Sequence, residues 1–157
     1  MIGIINYGLG NIKAIYTVYK DLNVPVKIIS NEEDFDGCNK FILPGVGAFD
    51  YAMEKLNKSG IKEALINKVV NEKKEILGIC VGMQMLANSS EEGSLPGLSW
   101  INAEIKRIDW NTDYSLTVPH MGWNNINKAK DISLLNGLDD NSNFYFLHSY
   151  YFESKND

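Results

Sequence analysis

The chain has 157 residues, 45% hydrophobic and 22% charged, the size and composition of one soluble globular domain with an ordinary core. Its formal charge of −5 comes without a basic stripe, which excludes any electrostatic case for nucleic acid or an anionic membrane as partner. No apolar run is long enough to span a bilayer, and MIGIINYGLGN at the start lacks the basic and long apolar regions of a secretion signal. Two cysteines, Cys38 and Cys80, form no framework, so a reducing cytoplasm is the expected setting. The two histidines, His120 and His148, lie far apart without ligand-like spacing; neither a metal nor a cofactor is expected.

In chain order, IGII (2–5) is a short continuous apolar run suited to a strand covered on both faces. Ile12, Ile15, Tyr16, Tyr19 and Leu22 recur at helical spacing, with Asn11 placed to cap the helix. VKII (26–29) reads as a second strand and KFIL (40–43) as a third, stopped by Pro44-Gly45. Phe49, Ala52, Met53 and Leu56 mark a helix, Ser59-Gly60 breaks it, and Ile61, Leu65 and Val69 carry another. EILGI (75–79) is the next strand, and Gly82 to Ala87 begins the next helix. This βα order predicts an α/β fold with an open, mostly parallel sheet and helices on both faces. Beyond about residue 95, LSWINAEIKRI and NFYFLHSYYF are rich in β-branched and aromatic residues. They are expected to extend the same sheet, partly antiparallel. With no linker, repeat or low-complexity tract, residues 1–157 are expected to form a single domain.

Two glycine-rich loops follow strands. NYGLGN (6–11) invites a dinucleotide-binding reading, but the third small residue that fingerprint needs is Lys13, so the match fails. It reads as a turn, or as a surface loop exposing Tyr7, Leu9 and Asn11 to a partner. LPGVGAF (43–49) ends a strand where open α/β sheets place their ligands. It is either a plain turn or a loop whose amides stabilise an oxyanion.

Gly78-Ile79-Cys80-Val81-Gly82 has the strand-turn-helix pattern of a nucleophile elbow, with cysteine in place of serine. A sharp turn crowds the nucleophile against residues two before and two after, so both must be glycine-sized. The side chain then projects above the sheet at the start of a helix, whose dipole favours thiolate. The competing reading, a small buried hydrophobe, suits Cys38 better, since no pattern supports that residue.

With these residues in place, GICVGMQMLANSSEEG resembles the nucleophile region of the class I (triad) glutamine amidotransferases, and LPGVGAF resembles their oxyanion loop. NYGLGN, PHMGWN (119–124) and FLHSYY (146–151) narrow the resemblance to the glutaminase subunit of imidazole glycerol phosphate synthase. It covers nearly the whole chain. The resemblance implies a flavodoxin-like amidotransferase fold and hydrolysis of glutamine through a Cys80 thioester. It implies oxyanion contacts from the amides of Val46, Gly47 and Val81. Gln84, Glu92, His148, Ser149 and Tyr150 would hold the substrate. Ammonia would pass to a (β/α)8-barrel cyclase subunit, docked near Asn6, Tyr7, Asn11, His120, Met121 and Trp123. Without the family match, Trp123 reads as a core aromatic.

One departure stands out. The family pairs its thiolate with the histidine of a later HPE motif, and no HPE occurs in these 157 residues. The domain is therefore expected to lack its C-terminal segment and, as this chain alone, to turn over glutamine negligibly. NFYFLHSYYF is expected to leave an exposed aromatic edge prone to association. Three alternatives remain: a paralogous ammonia donor for surface-polysaccharide sugar synthesis, a non-catalytic subunit that keeps only the docking face, and a cysteine variant of the α/β-hydrolase elbow. The last gives Gln84 and PHMGWN no role.

Overall fold

The computed structural model describes residues 1–109, 117–139 and 141–155. The elements begin with β1 (Ile2–Ile5), α1 (Ile12–Asp21), β2 (Val26–Ile29) and β3 (Lys40–Gly45). Next come α2 (Phe49–Lys58), α3 (Lys62–Ile66), β4 (Glu75–Cys80) and a short α4 (Val81–Gln84). The chain continues through β5 (Ser89–Ser90), β6 (Ala103–Arg107), β7 (His120–Asn125), β8 (Asn143–His148) and β9 (Tyr150–Ser154).

Four strands form a parallel sheet in the order β2-β1-β3-β4. Strands β1 and β3 are apolar and buried on both faces, whereas Leu77 and Ile79 of the edge strand β4 are exposed. Ile5, Ile29, Phe41 and Leu43 join Phe49, Met53, Leu56, Ile61 and Leu65 in one buried cluster. Ile4 and Ile42 alternate with them and are buried on the opposite face. Helix α1 lies against β1 and β2. It starts where Asn11 Oδ1 accepts the Ala14 N–H at 3.3 Å, as the sequence predicts.

Several expectations need correction. Leu22 lies beyond the last turn of α1 and is exposed, so it adds nothing to the apolar stripe. Strand β3 does not stop at Pro44-Gly45 but runs through both, pairing Pro44 with Ile79 and Gly45 with Cys80. Proline is tolerated there because β1 pairs with β3 only as far as Ile42, so no ladder donor is needed on that side. The helix expected over Gly82 to Ala87 is a single turn, closed by Met85 N–H to Val81 O at 2.9 Å. The later strands do not extend the parallel sheet. β5-β6-β9 is a separate three-stranded sheet, and β7-β8 is an antiparallel ribbon.

The chain divides into two compact units, Met1–Lys106 with Phe152–Asp157, and Arg107–Tyr151. The first holds the parallel sheet and its core. The second holds the β7-β8 ribbon, registered from His120 opposite His148 to Asn125 opposite Asn143. Among the described residues, no helix is long and apolar enough to cross a membrane.

Candidate active site

The chain reverses from β4 into α4 at Cys80, which has φ 56° and ψ −124°. A residue with a Cβ seldom adopts such a conformation, and structures hold one there only when the surroundings over-determine it. Those surroundings are backbone. A Cβ on Gly78 would lie 2.3 Å from Met83 Cα, and one on Gly82 would lie 1.9 Å from Leu43 O. A Cβ on Gly45 would stand 2.4 Å from the Gly82 amide nitrogen. The elbow therefore packs backbone to backbone against the end of β3, and the glycines flanking Cys80 are a steric requirement. Cys80 itself is exposed, whereas Cys38 is buried. Burial also pushes the Cys38 thiol up from its ordinary range, which keeps it protonated and inert. The short α4 removes one expected source of activation, because a single turn sums few peptide dipoles.

The candidate oxyanion residues follow directly from the register. Gly45 pairs with Cys80, so Val46 and Gly47 leave β3 beside Cys80. Gly47 has φ +88°, a value that favours glycine. Val46 is exposed, and Val81 is the buried first residue of α4. The far end of this loop is clamped by Glu92, whose Oε2 accepts the Phe49 N–H at 2.9 Å. One residue on, Asp50 accepts the N–H groups of Ser94 and Leu95 and the Ser94 hydroxyl, within 2.9–3.1 Å. These bonds, the Ser94 amide first, hold its carboxyl below the usual range. Neither clamp is legible in the sequence, since 43 and 44 residues separate the partners.

Gln84 stands one helical turn beyond Cys80, and its Oε1 is buried without a hydrogen-bond partner. A buried acceptor left alone costs free energy. An open cavity of about 590 Å³ borders the same loop, lined by Gly10, Asn11, Ile15, Pro44, Gly45, Val46 and Ile79. Its walls are mainly apolar and lack Gln84.

The N-terminal loop corrects a further expectation. Tyr7 is not displayed on the surface but is 4% exposed and belongs to the core cluster. Its hydroxyl donates to Pro44 O at 2.7 Å. Burial, and then the charge of Cys80, push its pKa far above the ordinary tyrosine range. Asn6 is engaged internally, donating to Ser30 Oγ at 3.1 Å and accepting the Gly8 N–H. Asn11 caps α1 and is exposed.

In the second unit, His120 and His148 form a chain whose direction the geometry settles. Asn124 Nδ2 donates to His120 Nε2 at 2.7 Å, so His120 Nδ1–H donates to His148 Nε2 at 2.9 Å. His148 Nδ1–H then donates to the Tyr150 carbonyl at 2.8 Å. All four imidazole nitrogens are engaged. Neither ring offers a spare nitrogen to a substrate or a nucleophile as it stands. Ser149 contributes its carbonyl to Ile108 N–H at 2.9 Å. Trp123 is 71% exposed, which rules out the core reading. The ribbon register sets Met121 opposite Leu147 and Trp123 opposite Tyr145, all on one face and all exposed. Tyr145 and Leu147 share this exposed face, and sequence reasoning did not single them out.

Comparison with known proteins agrees with this geometry. The family model for glutamine amidotransferase class-I matches residues 3–157. The imidazole glycerol phosphate synthase subunit HisH of Leptospira borgpetersenii is 51% identical over 98% of this chain and 76% of its own length. Those of Leptospira interrogans and Bdellovibrio bacteriovorus are 49% and 48% identical, with 78% and 77% of their lengths covered. Among solved structures, a glutamine amidotransferase matches with a TM-score of 0.54 at 23% identity, over 68% of this chain and 56% of its own. A Thermoplasma acidophilum protein named for a GMP synthase subunit matches with a TM-score of 0.61 at 18% identity, over 96% and 65%. At those identities the structures speak for the fold.

Proposed function

The chain belongs to the class-I glutamine amidotransferase family, and from that premise we propose that it is the glutaminase subunit of an imidazole glycerol phosphate synthase. In this reading it takes part in histidine biosynthesis in the cytoplasm. It hydrolyses glutamine to glutamate and ammonia, and the ammonia passes to a (β/α)8-barrel cyclase subunit. The relatives at 48–51% identity, all named as that subunit, support the assignment.

The chemistry follows from the elbow. The Cys80 thiolate adds to the side-chain carbonyl carbon of glutamine, and the amides of Val46, Gly47 and Val81 take the oxyanion. Collapse of that intermediate breaks the C–N bond, with a proton going to the departing nitrogen, and leaves a γ-glutamyl thioester. Water then cleaves the thioester to glutamate and regenerates the thiol. Proton transfer needs a general acid and base. The two histidines of this chain are bonded to each other, so we assign neither that role, and this chain alone is expected to acylate without rapid turnover. The exposed face of Met121, Trp123, Tyr145 and Leu147 supports the docking reading, since an apolar patch of this kind marks an interaction surface.

The observation that carries the reading is the buried acceptor of Gln84, one helical turn beyond Cys80. It suits the α-ammonium group of glutamine, a cation with three donors. Calorimetric titration of the Cys80→Ala chain with glutamine tests this. Adding Gln84→Leu is expected to weaken binding about tenfold or more, the worth of a hydrogen bond to a charged group. Equal affinity with and without that change would refute the assignment.

A further inference from the structure

We propose that Tyr7 is a positioning residue for the oxyanion loop: its hydroxyl, by donating to the Pro44 carbonyl, fixes the strand end from which Val46 and Gly47 reach Cys80. The inference rests on the glutaminase reading above.

The register shows why a tether is needed. Strand β1 pairs with β3 only up to Ile4 opposite Ile42. The last three residues of β3, Leu43 to Gly45, are therefore held by ladder pairing on the β4 side alone. On the β1 side the chain turns away after Ile5, and Tyr7 reaches back across the gap. Its hydroxyl lies 2.7 Å from Pro44 O and 3.5 Å from Met85 Sδ. It also stands 3.1 Å from where a Cβ on Gly45 would be. One buried oxygen thus touches the strand that carries the oxyanion loop and the segment just beyond the elbow. The ring alone would pack as well as phenylalanine. The hydroxyl is what links Pro44, and a buried hydroxyl without a role would be a net cost. Burial and the neighbouring Cys80 charge keep it protonated, so it serves as a fixed donor rather than a proton carrier.

The test uses the 157-residue chain and two reagents. A chloroketone analogue of glutamine alkylates Cys80 by displacement of chloride, and the site seats its carbonyl among the oxyanion donors. Iodoacetamide alkylates the same thiolate by displacement of iodide, with no amino-acid end to seat it. Both are followed by mass spectrometry at a pH where ordinary thiols are largely ionised. Tyr7→Phe is expected to slow the saturated chloroketone rate about tenfold, a fraction of the effect of deleting an oxyanion donor outright. Its half-saturation concentration and its iodoacetamide rate should stay at wild-type values. Met85→Leu, which leaves the Pro44 bond in place, should behave as wild type in both. An unchanged chloroketone rate in Tyr7→Phe, or equal slowing with both reagents, would overturn the inference alone. Wild-type chain labelled no faster by the glutamine chloroketone than by chloroacetone would overturn the glutaminase reading and this inference with it.

Discussion

Replacing Cys80 by glycine is expected to give a more stable fold than replacing it by alanine, the reverse of the usual order. Both changes delete the exposed thiol, so they differ only in the Cβ. At φ 56° and ψ −124° that Cβ is held in a sparsely populated conformation, worth about 1–3 kcal/mol of strain. Glycine relieves it but loses about 0.5–1 kcal/mol more backbone entropy on folding. Taking the middle of each range, the balance favours glycine by about 1 kcal/mol. For a chain of this size that is a difference in Tm of about 3 °C. Urea titrations of the two variants, with matched slopes, read the difference as a shift in midpoint. A Cys80→Ala chain as stable as Cys80→Gly, or more stable, would show that the elbow is not strained. The steric account of Gly78 and Gly82 would then need revision.

Two further outcomes follow from the clamps and the ribbon. Asp50→Asn should cost about 1 kcal/mol at neutral pH, the low end for a charged acceptor because the carboxylate is half exposed. Since the folded state lowers the Asp50 pKa, its stabilisation is present above the unfolded carboxyl value of about 3.9 and is lost as pH falls through the lower folded value. The gap in Tm between wild type and Asp50→Asn should therefore close in acid, and parallel curves down to low pH would contradict this. Trp123→Ala should weaken binding to a barrel cyclase subunit by about 2 kcal/mol, some thirtyfold, as an exposed aromatic anchor would. Its own Tm should hardly move, and calorimetry showing unchanged affinity would remove Trp123 from the docking face.

The local order of strands and helices through residue 80 was legible because each apolar run matches its element's period: IGII as a covered strand, VKII as a second strand, and Phe49, Ala52, Met53 and Leu56 as one helical face. The elbow was legible for a stronger reason. Few sequences tolerate a Cβ 1.9 Å from a carbonyl, so the spacing Gly-x-Cys-x-Gly records the close approach directly. Long-range bonds leave no such record. Tyr7 looked like a loop residue because its neighbours are glycines and asparagines, and only the fold brings Pro44 to its hydroxyl. Likewise nothing in NFYFLHSYYF distinguishes a strand that joins the parallel sheet from one that pairs with PHMGWN, because an aromatic, apolar run suits either partner. The length of α4 was misjudged for a related reason. Met83, Met85 and Leu86 have helical spacing, yet Leu98 and Trp100 capture the backbone carbonyls of Met85 and Leu86.

The central claim, that Cys80 is the nucleophile of a glutaminase, is tested most directly with a γ-glutamyl p-nitrophenyl ester. Its leaving group departs as phenolate and needs no general acid, so acylation is isolated from proton transfer to a departing amine. The account predicts a burst of about one equivalent of p-nitrophenolate per chain, then slow release, with the γ-glutamyl group mapped to Cys80 and the burst absent from Cys80→Ala. No burst in the wild-type chain, or a burst that survives in Cys80→Ala, would contradict it.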